Sequence, residues 1–274
     1  AITAQAIPVA DGFKSALQQA LECSSRDESR HALRGACLDT TDQGDYVVGT
    51  DGRHLYAANS FRFPQRQPVI IPAHKFLSWK GFAEDGEWQL GMQTGKDPSE
   101  ITNILLRSPQ WTYVTRPIEG AYPNWHQVVP KGKAQATITL ADESVGWFKS
   151  TLAKLPVADA STKSLLFETV GKHLHIRSNA SGGGVDLVVP GAAVSGRDVA
   201  VALSRDFVIK ALKFGFKTLA VNEPLDPVKF TAPGRQMIVM PVRTASVSTA
   251  ASPQKAEPAP NDRINTPKPI NERK

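Results

Sequence analysis

The sequence predicts an α+β chain made of two similar segments, each with two helices packed on antiparallel sheets. Three observations carry this. Short apolar-alternating runs recur between turn residues, a few stretches with helical spacing interrupt them, and the same order of elements returns in the second half. Helices covering one side of an antiparallel sheet define the class.

The first segment is expected over residues 1–130. Asp11 is placed to cap the stretch GFKSALQQALEC, where Phe13, Ala16, Leu17, Ala20 and Leu21 fall at helical spacing. Strands are expected at HALRGACLDT, GDYVVGTDG, RHLYAANS and PVIIP. A second helix is expected at AHKFLSWKGF, followed by strands at EWQLGM, ITNILLRS and WTYVTRP.

The second segment, 131–243, repeats the plan. The strand QATITL leads to a helix opened by Asp142 or Glu143, with Val145, Phe148, Leu152 and Leu155 on one face. Strands at SLLFETV, KHLHIRS and VDLVVP are joined by turns at Gly171-Lys172 and Gly182 to Gly184. After DVAVAL, Ser204 is placed to cap a helix that buries Phe207, Val208, Ala211 and Leu212, and TLAVNEP, DPVKFTA and QMIVMPV finish the sheet.

Residues 244–274 differ in composition. Five prolines, almost no large apolar residues and a net charge of five basic minus three acidic groups predict a disordered tail. The chain has 274 residues, 41% of them apolar, and a net charge of +6. A modest basic excess is compatible with a polyanionic partner and equally with plain solubility. Cys23 and Cys37 form no CxxC and share no ligand spacing with a histidine, so buried reduced thiols are expected. The N-terminal stretch lacks the pattern of a signal peptide, and no apolar run approaches the roughly 18–20 residues that span a bilayer. A cytoplasmic protein without membrane association is expected.

Catalytic chemistry has little support. Six histidines occur, at His31, His54, His74, His126, His173 and His175. The last two share one side of a strand, but no carboxylate or cysteine stands near them in sequence to complete a metal site. Gly182 to Gly184 lacks the following Gly-Lys-Ser/Thr of a phosphate loop, and no nucleophile elbow occurs. The expectation is a non-enzyme without metal or cofactor.

Each predicted helix carries basic residues away from its apolar stripe. Lys14 lies on the first, Lys75 and Lys80 on the second, and Lys149 and Lys154 on the third. Arg205, Lys210 and Lys213 lie on the fourth, with Lys217 just after it. Together with Arg30 these are the candidate DNA-facing groups. If the four helices share one side, they form a basic stripe that binds phosphates without reading sequence. Taken singly, each is an ordinary solvated helix face.

Specific residues then meet a known family. LRGACLDTTDQGDYVVGTDGRHL, from Leu33 to Leu55, resembles the middle domain of the bacterial DNA polymerase III beta subunit, the sliding clamp, with its Thr-Asp-Gly-His-Arg-Leu signature. IEGAYPNWHQVVP, from Ile118 to Pro130, is similar to the segment that closes that domain. EPLDPVKFTAPGRQMIVMPVR resembles the last strands of the family's third domain. The resemblance runs in order over about residues 8–243.

It implies a DNA-clamp fold, with helices lining a ring around duplex DNA and sheets outside. It also implies that DNA polymerase, a clamp loader or other clamp-motif proteins insert a peptide between the two domains. The matching pocket positions are Leu33, Thr50, Gly52, Arg53, His54, Leu55, Pro123, Gln127, Val128, Pro227, Ile238, Val239, Met240, Pro241, Val242 and Arg243. Many of these are equally the residues of an ordinary core.

The sequence departs from the family in four respects. Counterparts of only two of the family's three domains are found, so the usual dimer contact is missing and a homotrimer joined head to tail is expected. The signature's His-Arg order is reversed at Arg53-His54, Gln127 replaces the usual basic residue, and sequence continues past Arg243. The alternative function is a clamp-derived interaction or regulatory protein that binds clamp-motif peptides without encircling DNA.

Overall fold

The structure, a computed structural model, describes residues 6–97, 99–180 and 183–243. The tail expected at 244–274 lies outside the described residues, as do Ser181 and Gly182 of the expected glycine turn.

The first half runs β1 (Ala6–Pro8), α1 (Phe13–Cys23), β2 (Gly35–Thr41), β3 (Gly44–Thr50), β4 (His54–Phe61), β5 (Val69–Pro72), α2 (Lys80–Ala83), β6 (Gln89–Thr94), β7 (Ile101–Arg107) and β8 (Thr112–Thr115). The second half runs β9 (Ala136–Leu140), α3 (Asp142–Lys154), β10 (Ser164–Val170), β11 (His173–Ala180), β12 (Gly183–Val188), β13 (Ala192–Gly196), β14 (Ala200–Ser204), α4 (Arg205–Lys213), β15 (Thr218–Val221), β16 (Val228–Ala232) and β17 (Arg235–Val239). Single 3-10 turns occupy His31–Leu33, Lys75–Ser78 and Trp125–Val128.

These strands form three sheets, all of whose pairings are antiparallel. One has the order β1-β6-β7-β8 and another β12-β11-β10-β14. The third joins the two halves in nine strands, β13-β9-β15-β16-β17-β4-β3-β2-β5. Its seam is the pairing of β17 with β4, from Arg235 opposite Ala58 to Val239 opposite His54. The repeat is visible in the pairings: β1-β6-β7-β8 of the first half matches β9-β15-β16-β17 of the second, and β4-β3-β2-β5 matches β12-β11-β10-β14.

Alternation within β4 and β17 supplies two cores at once, because side chains two apart share a face. Tyr56, Ala58, Met237 and Val239 join the main core with Phe13 and Leu17 of α1, Phe148 and Leu152 of α3, and Val208 and Leu212 of α4. Leu55, Ala57 and Ile238 face the other way and join a small second core with Cys37, Val48, Ile70 and Trp125. The segment linking the halves crosses this outer face, anchored by Ile118 and Val129 packing on it and by the bond from Ile118 N to Ile70 O at 2.9 Å.

The second expected helix is broken. Trp79 takes an extended conformation, φ −70° and ψ 127°, and separates Lys75–Ser78 from the single turn of α2. Burial of Phe82 against Phe76, with ring centroids 4.8 Å apart, and against Trp88 at 4.5 Å sets this kink in place of a continuous stripe. Two strands escape the sequence reading, β1 and β13. The first has three residues and the second, AAVSG, lacks an alternating pattern.

The capping expectations also change. Gly12, at φ 86°, precedes α1 in place of Asp11, whereas α3 opens at Asp142 as expected, with Ala141 before it. Ser204 occupies the N-cap position of α4 but makes no side-chain capping bond. The Arg205 N–H donates instead to the Lys163 carbonyl at 3.0 Å. No helix among the described residues is long and apolar enough to cross a membrane.

Gly49 of β3 lies directly under α1, where an added Cβ would collide with the Ala20 backbone. Gly49→Ala should therefore cost about 1–3 kcal/mol in denaturant unfolding, the usual range for overpacking a core. Cys23 and Cys37 are both free and buried, one in each core. Burial pushes the Cys23 thiol up to about 12 and the Cys37 thiol higher still. Neither should react with an aromatic disulfide reagent in the native protein at pH 8, and both should react on unfolding.

Candidate functional site

The seam between the halves carries a small cleft on its outer face. Its lining comes from four stretches far apart in sequence. Leu33 ends a 3-10 turn, Thr50, Gly52, His54 and Leu55 form the β3–β4 connection, Pro123 and Val128 belong to the linking segment, and Ile238 and Met240 come from β17 and the residues after it. Asn124 and Trp125 complete the lining. The cavity volume is about 120 Å³. Sites for small ligands commonly hold roughly 300–1,000 Å³. An apolar notch of this size suits one or two side chains of a peptide, not a substrate to be enclosed.

Nine of the sixteen expected pocket residues line this cleft. Asn124 and Trp125 were missed, although Trp125 is its floor. That indole is 4% exposed and its Nε1–H donates to Asp39 Oδ2 at 2.8 Å. A tryptophan two residues after Pro123, within the segment that resembles the family's domain closure, was the available signal.

The other seven lie elsewhere. Val239 faces the main core, because it follows Ile238 on a strand and alternation turns it to the opposite side. Arg53 and Gln127 are exposed, and Arg53 contributes its carbonyl, which accepts from the Met240 N–H at 2.9 Å. Pro227 precedes β16 and does not line the cleft. Pro241, Val242 and Arg243 have passed its rim, and the Val242 N–H donates to the Ala202 carbonyl at 2.8 Å.

The turn Thr50-Asp51-Gly52-Arg53-His54 is held by its own side chains. Thr50 Oγ1 donates to the His54 carbonyl at 2.7 Å and accepts from the Gly52 N–H at 3.0 Å. Asp51 Oδ1 accepts from the Arg53 N–H at 2.8 Å and the His54 N–H at 3.0 Å. Gly52 sits at φ 84°, a left-handed conformation that a side chain would strain.

His54 is the electrostatic centre of the seam. Its ring stacks on Phe207 of α4 with centroids 4.2 Å apart, and its Nδ1 lies 2.8 Å from Asp51 Oδ1. Lys210 Nζ approaches Nε2 at 2.9 Å and also donates to the Glu22 carbonyl at 2.8 Å. A lysine donor at Nε2 requires a lone pair there, so the imidazole is neutral and donates from Nδ1 to the carboxylate. Burial holds His54 below its ordinary pKa of 6.5, and the Lys210 charge lowers it further against the opposing pull of Asp51. Burial pushes the Asp51 carboxyl up, but the His54 contacts and the two backbone donors outweigh it and hold the group at about 2.

Most of the basic residues expected to face DNA are held by neighbours. Lys14 donates to the carbonyls of Ala83 and Gly86, and Arg30 to that of Asp51 at 2.8 Å. Arg205 donates to the Leu155 carbonyl, Lys217 pairs with Asp142, and Lys213 pairs with Glu22 at 3.1 Å. Lys210 therefore does not point away from the fold as its helical position suggested. Lys80 lies 3.8 Å from Glu84. Among the described residues, Lys75, Lys149 and Lys154 have no ion-pair partner.

One member of the histidine pair of β11 has a structural partner. His175 Nδ1 lies 3.0 Å from Asp186 Oδ1 on β12, a carboxylate the spacing did not reveal, and Arg177 binds the same group. Among the described residues no cluster of three metal-ligating side chains occurs.

No family model matches the sequence, and no match was found among curated proteins. Solved structures do match. The beta subunit of a Streptococcus pyogenes DNA polymerase superposes with a TM-score of 0.73 at 18% identity, over 89% of this chain and 67% of that one. DNA polymerase III subunit beta from Borrelia burgdorferi gives 0.73 at 17% identity, over 88% of this chain and 63% of that one. A DNA polymerase sliding clamp from Pseudomonas aeruginosa gives 0.69 at 15% identity, over 86% and 66%. The chain thus spans about two thirds of the length of these structures. Its fold is that of the bacterial DNA polymerase sliding clamps.

Proposed function

We propose that the protein is a sliding clamp: it encircles duplex DNA without reading sequence and tethers a DNA polymerase, a clamp loader or another clamp-motif protein through the apolar cleft. In this reading residues 1–130 and 131–243 are two clamp domains, and three copies supply the six domains of a ring. It performs no catalysis of its own. The observation that carries the reading is the convergence of Leu33, the Thr50–Leu55 turn, Pro123, Val128, Ile238 and Met240 on one notch at the seam. Apolar side chains there supply affinity, and the polar rim of the turn fixes the peptide's direction. The similar bacterial structures are named as sliding clamps and polymerase beta subunits, which supports the class of partner.

A second reading is favoured by one observation. The basic groups that would face DNA are largely held in contacts within the chain. A protein that keeps the cleft and does not enclose DNA would compete for clamp-motif peptides. Loading onto nicked circular plasmid separates the two: a clamp stays on the circle and is lost after linearisation, whereas a peptide-binding competitor shows no difference between the forms.

A synthetic peptide carrying a bacterial polymerase's clamp motif should bind the full chain. Leu33→Ala and Met240→Ala should each weaken binding about tenfold, corresponding to roughly 1.4 kcal/mol, in a fluorescence anisotropy titration. Unchanged affinity in both would place the peptide elsewhere.

Stability should also follow pH through His54. Its folded pKa is depressed, so its contribution is complete above about pH 6.5 and is lost progressively as pH falls below that value, where the unfolded chain takes up the proton first. Urea midpoints measured from pH 7.5 to 5.5 should fall, and Lys210→Met, which removes a charge that lowers the His54 pKa, should flatten the decline.

A further inference from the structure

A second hollow lies on the outer face beside the cleft, and the two share Trp125. Its volume is about 540 Å³, against about 120 Å³ for the notch. The Trp125–Val128 turn adjoins both, with Val128 lining the notch and Val129 the hollow. Tyr46 of β3 packs its ring edge on Trp125 at 5.1 Å and on His126 at 5.8 Å, which gives the hollow an aromatic wall. The rest of the lining comes from the β2–β3 connection, from Lys131 and from two strands of the second half.

Sheet register fixes how near the hollow stands to the cleft. Lys229 of β16 is paired with Ile238 of β17. Paired residues on neighbouring antiparallel strands project to one face, with Cβ atoms about 5 Å apart. Ile238 lines the cleft and Lys229 lines the hollow, so a single cross-strand pair spans both. Gln236 precedes Ile238 by two positions, shares its face, and also lines the hollow. At about 3.3 Å per residue, an extended chain leaving the cleft comes beside Lys229 within two or three residues.

The two cavities differ in charge. The notch is lined mostly by apolar side chains, whereas the hollow carries Lys131 and Lys229. Neither lysine has an ion-pair partner among the described residues. Asp42 lines the same hollow from the exposed tip of the β2–β3 connection and pairs with neither. Asp39 is engaged by the aromatic wall: its Oδ2 accepts from Trp125 Nε1 at 2.8 Å, and His126 Nε2 stands 3.6 Å from the same oxygen. The hollow therefore presents two unmatched cations against one carboxylate. Positive charge beside an apolar notch is complementary to a peptide whose apolar anchors have acidic neighbours.

We propose that the hollow receives acidic side chains of the partner peptide, two or three residues beyond the apolar side chains seated in the cleft. Lys131 and Lys229 are their counter-ions, and Gln236 offers an amide donor on the same face. The proposal rests on the cleft being the peptide site and adds a second criterion for partners, an acidic flank. Such contacts between exposed charges steer and select, and they weaken as salt rises.

The test is a fluorescence anisotropy titration of the full chain with peptides built on one bacterial polymerase's clamp motif. One carries Asp-Glu two residues before the motif, one carries Asp-Glu two residues after it, and one carries Asn-Gln at both places. Exposed ion pairs contribute little singly, so on one flank the acidic peptide should bind about threefold to tenfold tighter than the Asn-Gln peptide at low salt. The other flank should give no gain. Lys131→Gln combined with Lys229→Gln should abolish the gain. Lys96→Gln combined with Lys172→Gln, which removes the same charge from exposed sites elsewhere, should leave it. Lys131→Glu combined with Lys229→Glu should reverse the preference, so that Lys-Lys on that flank binds tighter than Asp-Glu.

Equal gains on both flanks, no gain on either, or a gain that survives the Lys131 and Lys229 glutamines overturns the proposal. So does loss of the gain in the Lys96 and Lys172 variant, which would assign it to the overall charge of the chain. In those outcomes an Asn-Gln peptide weakened by Leu33→Ala and Met240→Ala keeps the cleft reading. An Asn-Gln peptide indifferent to both alanines overturns the cleft reading, and the acidic-flank proposal with it.

Discussion

The pairing of β17 with β4 is the constraint on which the rest of the structure depends. It converts two sheets into one, and both cores are defined by it. Its odd and even residues feed opposite faces, so a slip of one residue would send Met237 and Tyr56 outward and Leu55 and Ile238 inward. The cleft exists only because the strand end and the Thr50–Leu55 turn are brought level there. The buried polar group beside the seam, His54, is satisfied on both ring nitrogens, as a group so far from water must be.

Charge has a different place in this molecule from the one helical periodicity suggests. Lysines opposite an apolar stripe are normally solvated, yet Lys210 and Lys213 close the junction between α4 and α1. The two cations suit the negative end of α1, and Lys213 also offsets the Glu22 carboxylate that stands there. The seam is thus apolar at its strands and ionic at its helices, which gives the contact a direction as well as an area.

Much of the fold was legible in the sequence because it rests on short-range signals. Fifteen expected strands are present, since alternation between turns is a local property, and α1, α3 and α4 have clear apolar stripes. The kink at Trp79 was not legible. It is set by Phe76, Phe82, Trp88 and Trp111 packing from separate elements, and no local pattern encodes that. In the cleft, motif positions located nine lining residues, but copying a contiguous run swept in Val239, which the strand turns away. Trp125 was passed over because its role comes from Asp39, 86 positions away in sequence. The partners of the basic residues were likewise invisible, since each depends on a carbonyl or carboxylate brought near only by the fold.

The seam also has a consequence in time. β4 lies early in the chain and its partner β17 lies near the end of the described residues, so one of the most central pairings of the large sheet is also among the most distant in sequence. Contacts of such separation form slowly, because the whole intervening loop must be closed first. During synthesis the β4 edge stays open until β17 has emerged, and it is the kind of edge on which nascent chains pair wrongly. Ile238 and Met240 arrive with that last strand. A truncated or half-made chain therefore has no cleft, and the notch belongs only to molecules that have completed their folding.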